Sequence, residues 1–126
     1  MTKQMKALAD LEQVAKLRSD IEMRKFSIFR AKVVAVQARL AQLQDQLRGY
    51  YDVPAAFSLD EARLTNALTV ETLQSIAREE AHLQRMLPAF EMARAAATKE
   101  FGRVQVLRQL GEDLGQQRDL IARRKI

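Results

Sequence analysis

His82, with Glu79 and Glu80 just before it, is the one place in this 126-residue chain where an imidazole stands beside acids. That pairing is the usual material of general acid–base catalysis, and a second histidine would make it the start of a metal site. The spacing argues against both. There is no other histidine and no cysteine, and the neighbours Glu79, Glu80 and Gln84 do not form a metal-ligand pattern such as His-Glu-x-x-His. The carboxylate pairs Glu79-Glu80 and Glu112-Asp113 are sequence neighbours. On a helix such neighbours point about 100° apart, so they do not face one another across a substrate. No Gly-rich phosphate loop and no Gly-x-Ser-x-Gly elbow occurs. The expectation is a protein that is not an enzyme, with no cofactor and no metal, and with His82 at the flank of a helix interface beside Leu83.

The elements that would hold these residues announce themselves by heptad spacing. Phe29, Val33, Val36, Leu40, Leu43, Leu47 and Tyr50 step by 4, 3, 4, 3, 4, 3. A later register runs through Leu73, Ile76, Leu83, Leu87, Phe90, Ala97, Phe101 and Val104, with Glu80 and Arg94 as polar interruptions able to set register. Alternation of three and four lays side chains on one narrow helical stripe, which is a seam for another helix. An earlier stripe, Val14, Leu17, Ile21 and Ile28 with Arg24 interrupting, is one residue out of phase with the seam from Phe29. The spacing therefore predicts a phase slip at Phe26-Ser27-Ile28-Phe29.

The boundaries follow from breakers and caps. Helix one is predicted over about 4–48, ended by Gly49, and about 45 residues would give a rod of roughly 65 Å. The turn region, about 49–69, contains Pro54, which disfavours helix at Val53. Ser58 with Glu61 reads as a capping box, and Asn66 with Thr69 as a second start signal, so a short helix over about 59–66 is expected at the turn. Helix two is predicted over about 70–124, bent near Pro88 between Gln84 and Leu87 and not broken there. The whole chain, 1–126, then forms a single all-α domain: an antiparallel two-helix coiled-coil hairpin with a short helical segment at the turn. Leu8 should fall opposite a residue near Glu112, leaving the last dozen residues as an overhang.

Charge gives that hairpin two unlike ends. Residues 1–49 carry ten Lys/Arg against five Asp/Glu, residues 50–102 five against eight, and residues 103–126 six against three. Both basic ends meet in a hairpin, away from an acidic tip. Nucleic acid is the obvious partner for basic helices, yet Asp10, Glu12, Asp20 and Glu22 interleave with Lys16, Arg18, Arg24 and Lys25. Glu12 and Lys16 form a favourable i,i+4 pair, and no aromatic stacking platform appears, so nucleic-acid binding is not expected. The first residues contain no apolar stretch of a signal peptide, and no window approaches a transmembrane span, which points to a soluble, cytoplasmic protein.

The C-terminal third is the expected contact surface. Its seam drifts to Leu107, Leu110, Leu114 and Ile121. Gly102, Gly111 and Gly115 each cost helix stability, about 1 kcal/mol relative to Ala. Arg118, Arg123, Arg124 and Lys125 add positive charge, and partner binding is expected at these eight non-glycine residues together with the first turns of helix one, and not at the Tyr50–Phe57 tip. A homodimer is also open, because narrow seams do not set the number of helices.

In length, basic hairpin architecture and stretches such as Leu73-Gln74-Ser75-Ile76-Ala77-Arg78-Glu79-Glu80 and Phe101-Gly102-Arg103-Val104-Gln105-Val106-Leu107, the chain resembles the FliJ/YscO family of type III export stalk proteins. The resemblance implies a stalk that contacts a hexameric export ATPase ring and the export gate of a flagellar or virulence secretion machine. The alternative is a generic coiled-coil adaptor or dimerisation protein.

Overall fold

The computed structural model describes residues 3–52 and 58–125. They form two helices, α1 over Lys3–Tyr51 and α2 over Leu59–Arg124. The helices pack against each other as an all-α hairpin, and no strand occurs among the described residues. The turn expected to hinge on Pro54, with Val53 and Phe57, lies outside the described residues.

Two predicted boundaries are wrong, for local reasons. Gly49 does not end α1. It has no positive φ, and the helix continues to Tyr51, with Asp52 N–H donating to the Arg48 carbonyl at 3.2 Å. Nor is there a separate short helix at the turn, because α2 is continuous from Leu59. Ser58 caps it as expected: its Oγ accepts a hydrogen bond from Glu61 N–H at 3.1 Å, and Asp60 and Glu61 sit in the positive first turn. Thr69 starts nothing. Its hydroxyl donates back to the Thr65 carbonyl at 2.7 Å, the bond a threonine makes inside a helix.

Pro88 lies within α2 and does not break it. Proline removes the hydrogen bond to the Gln84 carbonyl. Both residues are exposed, so water can satisfy that carbonyl on the face away from α1.

The chain divides into two compact units, Met1–Ile28 with Glu91–Ile126 (the terminal unit) and Phe29–Phe90 (the middle unit). In the middle unit the predicted α1 seam holds. Val33, Leu40 and Leu43 are buried, and Phe29, Val36, Leu47 and Tyr50 are half-buried. Leu40, Leu43 and Ile76 form the core, with Val36, Leu47 and Leu83 packed on it, and Phe29 meets Phe90 with ring centroids 6.4 Å apart. Arg39 donates to Glu79 across the interface at 2.9 Å.

In the terminal unit the predicted early seam is overturned. Val14, Leu17, Ile21 and Ile28 are all exposed. The buried and half-buried positions are Met5, Leu8, Glu12, Ala15, Ser19, Glu22 and Phe26, and their steps of three and four run into Phe29 with no phase slip. The most buried members of this seam, Ala15, Ser19, Ala97 and Val104, are small. Leu8 meets Gly111, where a Cβ would lie 3.7 Å from its Cδ2, and Glu12 pairs with Arg108 at 3.5 Å instead of with Lys16. The predicted register, with Leu8 opposite a residue near Glu112, therefore holds to within one residue. Residues 116–125 are exposed throughout, although Arg118 still reaches Met5 at 3.9 Å, so the overhang is shorter than the predicted dozen residues.

The register of α2 also differs from prediction at alternate positions. Ile76, Leu83, Phe90, Ala97 and Val104 face α1 as expected. The positions between them are Thr72, Glu79, Met86, Ala93 and Glu100, not Leu73, Glu80, Leu87, Arg94 and Phe101. Leu87 stays half-buried, but Leu73 and Phe101 are 45% and 52% exposed while Thr72 is 6% exposed.

Candidate protein-docking surface

The residues with the best chemical credentials are engaged in holding the helices together. Glu79 reaches Arg39 at 2.9 Å, and its other oxygen lies 3.9 Å from His82 Nδ1. His82 is half-exposed on the flank of the interface, Glu80 is exposed, and no group of three His, Asp or Glu that could hold a metal occurs among the described residues. This is the arrangement of an interhelical ion pair with a histidine at its edge.

The surface features concentrate in the terminal unit. The contact residues expected from sequence fall there into two groups. Leu107 and Leu114 are half-buried seam positions. Leu114 lies with Met5, Gln117, Arg118 and Ile121 along a shallow depression at the end of the hairpin, and Arg118 approaches the Met5 sulfur at 3.9 Å and Asp119 at 3.7 Å. Leu110, Ile121, Arg123, Arg124 and Lys125 are exposed. The eight therefore do not make one stripe, because two of them serve the hairpin itself.

A larger feature went unread in the sequence. Leu11, Val14, Ala15 and Arg18 of α1 and Glu100, Gly102, Arg103, Val106 and Leu107 of α2 line an open groove of about 640 Å³. Its apolar walls exist because the terminal seam is filled by small residues while the larger ones turn outward. Glu100 lies at this edge with its side chain 16% exposed. One oxygen is 3.0 Å from Arg103, and the other, Oε2, is buried with no hydrogen-bond partner among the described residues. The opposite flank has a smaller depression lined by Met23, Phe26, Arg94, Ala97, Thr98 and Phe101. Of the stripe Val14, Leu17, Ile21 and Ile28, which looks like the hairpin seam because its side chains are large, only Val14 lines the groove.

No helix among the described residues is long and apolar enough to cross a membrane. No protein-family model, curated protein or solved structure matches this chain.

Proposed function

We propose that this protein acts by contact, as a non-enzymatic, cytoplasmic coiled-coil stalk of a type III-type export apparatus that engages an export ATPase ring and the export gate. The observation that carries this reading is the terminal unit. It joins the basic first turns of α1 to the basic end of α2, with Leu8 at Gly111 and Met5 at Arg118, and presents exposed Leu110, Ile121, Arg123, Arg124 and Lys125 beside them. A terminal unit with a charged, partly apolar end suits insertion into a ring of subunits, where one surface must meet several similar ones. The resemblance to export stalks supplies the identity of that ring.

The test is ATP hydrolysis by a purified export ATPase from the same cell, with and without this protein. Stimulation is expected, and it should vanish when residues 115–126 are deleted while the helical circular-dichroism signal stays largely intact. Unchanged hydrolysis with the full-length protein would refute the stalk reading. Full activity of the truncation, with loss on changing Tyr50 or Tyr51, would place the contact at the opposite end. A generic adaptor would bind a protein partner without altering any ATPase. A nucleic-acid binder would show affinity falling steeply with salt.

A further inference from the structure

The terminal half of α1 carries a second stripe that the hairpin does not use. Leu11, Val14, Arg18, Ile21, Lys25 and Ile28 step by 3, 4, 3, 4, 3, and all six are exposed. Across the groove, Lys99, Arg103, Val106 and Leu110 of α2 step by 4, 3, 4 and are exposed as well. These ten residues carry four basic side chains and no acidic one, with Glu100 in the groove between them and Asp113 as the next step of the α2 stripe. The other flank of the same unit is different. Lys6, Lys16 and Asp20 on α1 and Glu91, Arg94, Arg108 and Glu112 on α2 mix both signs there.

We propose that this apolar and basic flank docks an acidic amphipathic α-helix from a partner protein, laid along the groove as a third helix of the coiled coil. Heptad spacing on both walls is what a helix needs for its own apolar residues to seat between them. Leu11, Val14 and Val106 would receive that apolar stripe. Arg18, on the wall of the groove and in no ion pair with a described residue, would meet the carboxylates beside it. Arg103 and Lys25 add positive charge that Glu100 and Glu22 partly neutralise, at 3.0 Å and 3.5 Å. A second copy of the chain fits poorly, because it would bring the same basic stripe against this one. A bilayer fits poorly too, because a groove between two helices is concave and an interfacial helix binds lipid with a convex apolar face.

The proposal does not depend on the export-stalk reading, and its test involves no ATPase. A labelled synthetic peptide of roughly three heptads, with Leu at the seam positions and Glu flanking them, is titrated against the full-length protein by fluorescence anisotropy. Saturable binding is expected. Arg18→Glu with Arg103→Glu, and separately Val14→Asp with Val106→Asp, should each weaken it by about tenfold or more. Arg18→Gln with Arg103→Gln should give a smaller loss in the same direction. Lys6→Glu with Lys16→Glu, an equal charge change on the other flank, should leave affinity within about twofold. Equal binding of a scrambled peptide of the same composition, or an equal loss from both charge reversals, would overturn the proposal. So would absence of binding, or preference of this flank for phosphatidylserine vesicles. A dimer in ultracentrifugation that Val14→Asp with Val106→Asp disperses would assign the flank to a second copy instead.

Discussion

Side-chain size and side-chain burial are uncoupled at several positions of the terminal unit. Ala97 is 3% exposed at the seam, whereas Leu17 is 59% exposed. Ala97→Leu should force overpacking and cost about 1–3 kcal/mol, while Leu17→Ala should change stability by no more than about 0.5 kcal/mol. Urea unfolding of the two variants checks this, and the reverse ranking would mean that the other stripe is the seam. Glu100 is the clearest local liability, since a buried carboxylate oxygen without a donor carries an uncompensated desolvation cost. Glu100→Met keeps the bulk and removes that oxygen, so it should raise stability by about 1 kcal/mol. Glu100→Gln should gain less, because it still carries polar atoms that need partners. A midpoint that falls in Glu100→Met would show that the Arg103 contact outweighs the orphan oxygen.

At the scale of elements, the continuity of α2 through residues 66–70 is open to a sharp test. Proline is favoured at the first position of a helix and costs about 3 kcal/mol in its interior. Val70→Pro would be tolerated if a helix began after Thr69. In the continuous helix observed it should destabilise by about that amount, and Val70 is exposed enough that lost packing would not account for it. The glycines of α2 offer the opposite change. A Cβ at Gly111 would make ordinary contact with Leu8, and one at Gly115 would meet nothing within 4 Å. Gly111→Ala and Gly115→Ala should each stabilise by about 0.5–1 kcal/mol, read as higher thermal midpoints.

Across the whole molecule, the two units differ in what holds each together. The middle unit has the Leu40, Leu43 and Ile76 core with its flanking aliphatics and the Phe29–Phe90 pair. The terminal unit relies on Ala15, Ser19, Ala97 and Val104, which bury less apolar area per residue. Native-state hydrogen exchange should therefore find amides of residues 33–47 and 72–86 opening at higher free energy than those of residues 8–22 and 97–111. Uniform protection would contradict this division. A loosely held terminal unit also has the most to gain from a partner, because binding to the native state adds to its stability by mass action.

Helicity, the antiparallel pairing, the Ser58 cap, the Phe29–Tyr50 seam and the facing of Leu8 within one residue were all legible in the sequence. These depend on local signals or on one unambiguous apolar stripe. Tertiary structure alone decided which of two stripes in residues 5–28 closes on α2, and whether α2 presents Thr72, Glu79 and Glu100 or Leu73, Glu80 and Phe101. Two stripes a residue or two apart are nearly equivalent to any rule that counts apolar spacing. The choice is settled by the shape of the opposing helix and by a register that stays continuous into Phe29, and neither is a property of one segment. Small residues such as Ala15, Ser19 and Ala97 occupy that seam, and the larger apolar side chains left outside it line the flank where we place a partner.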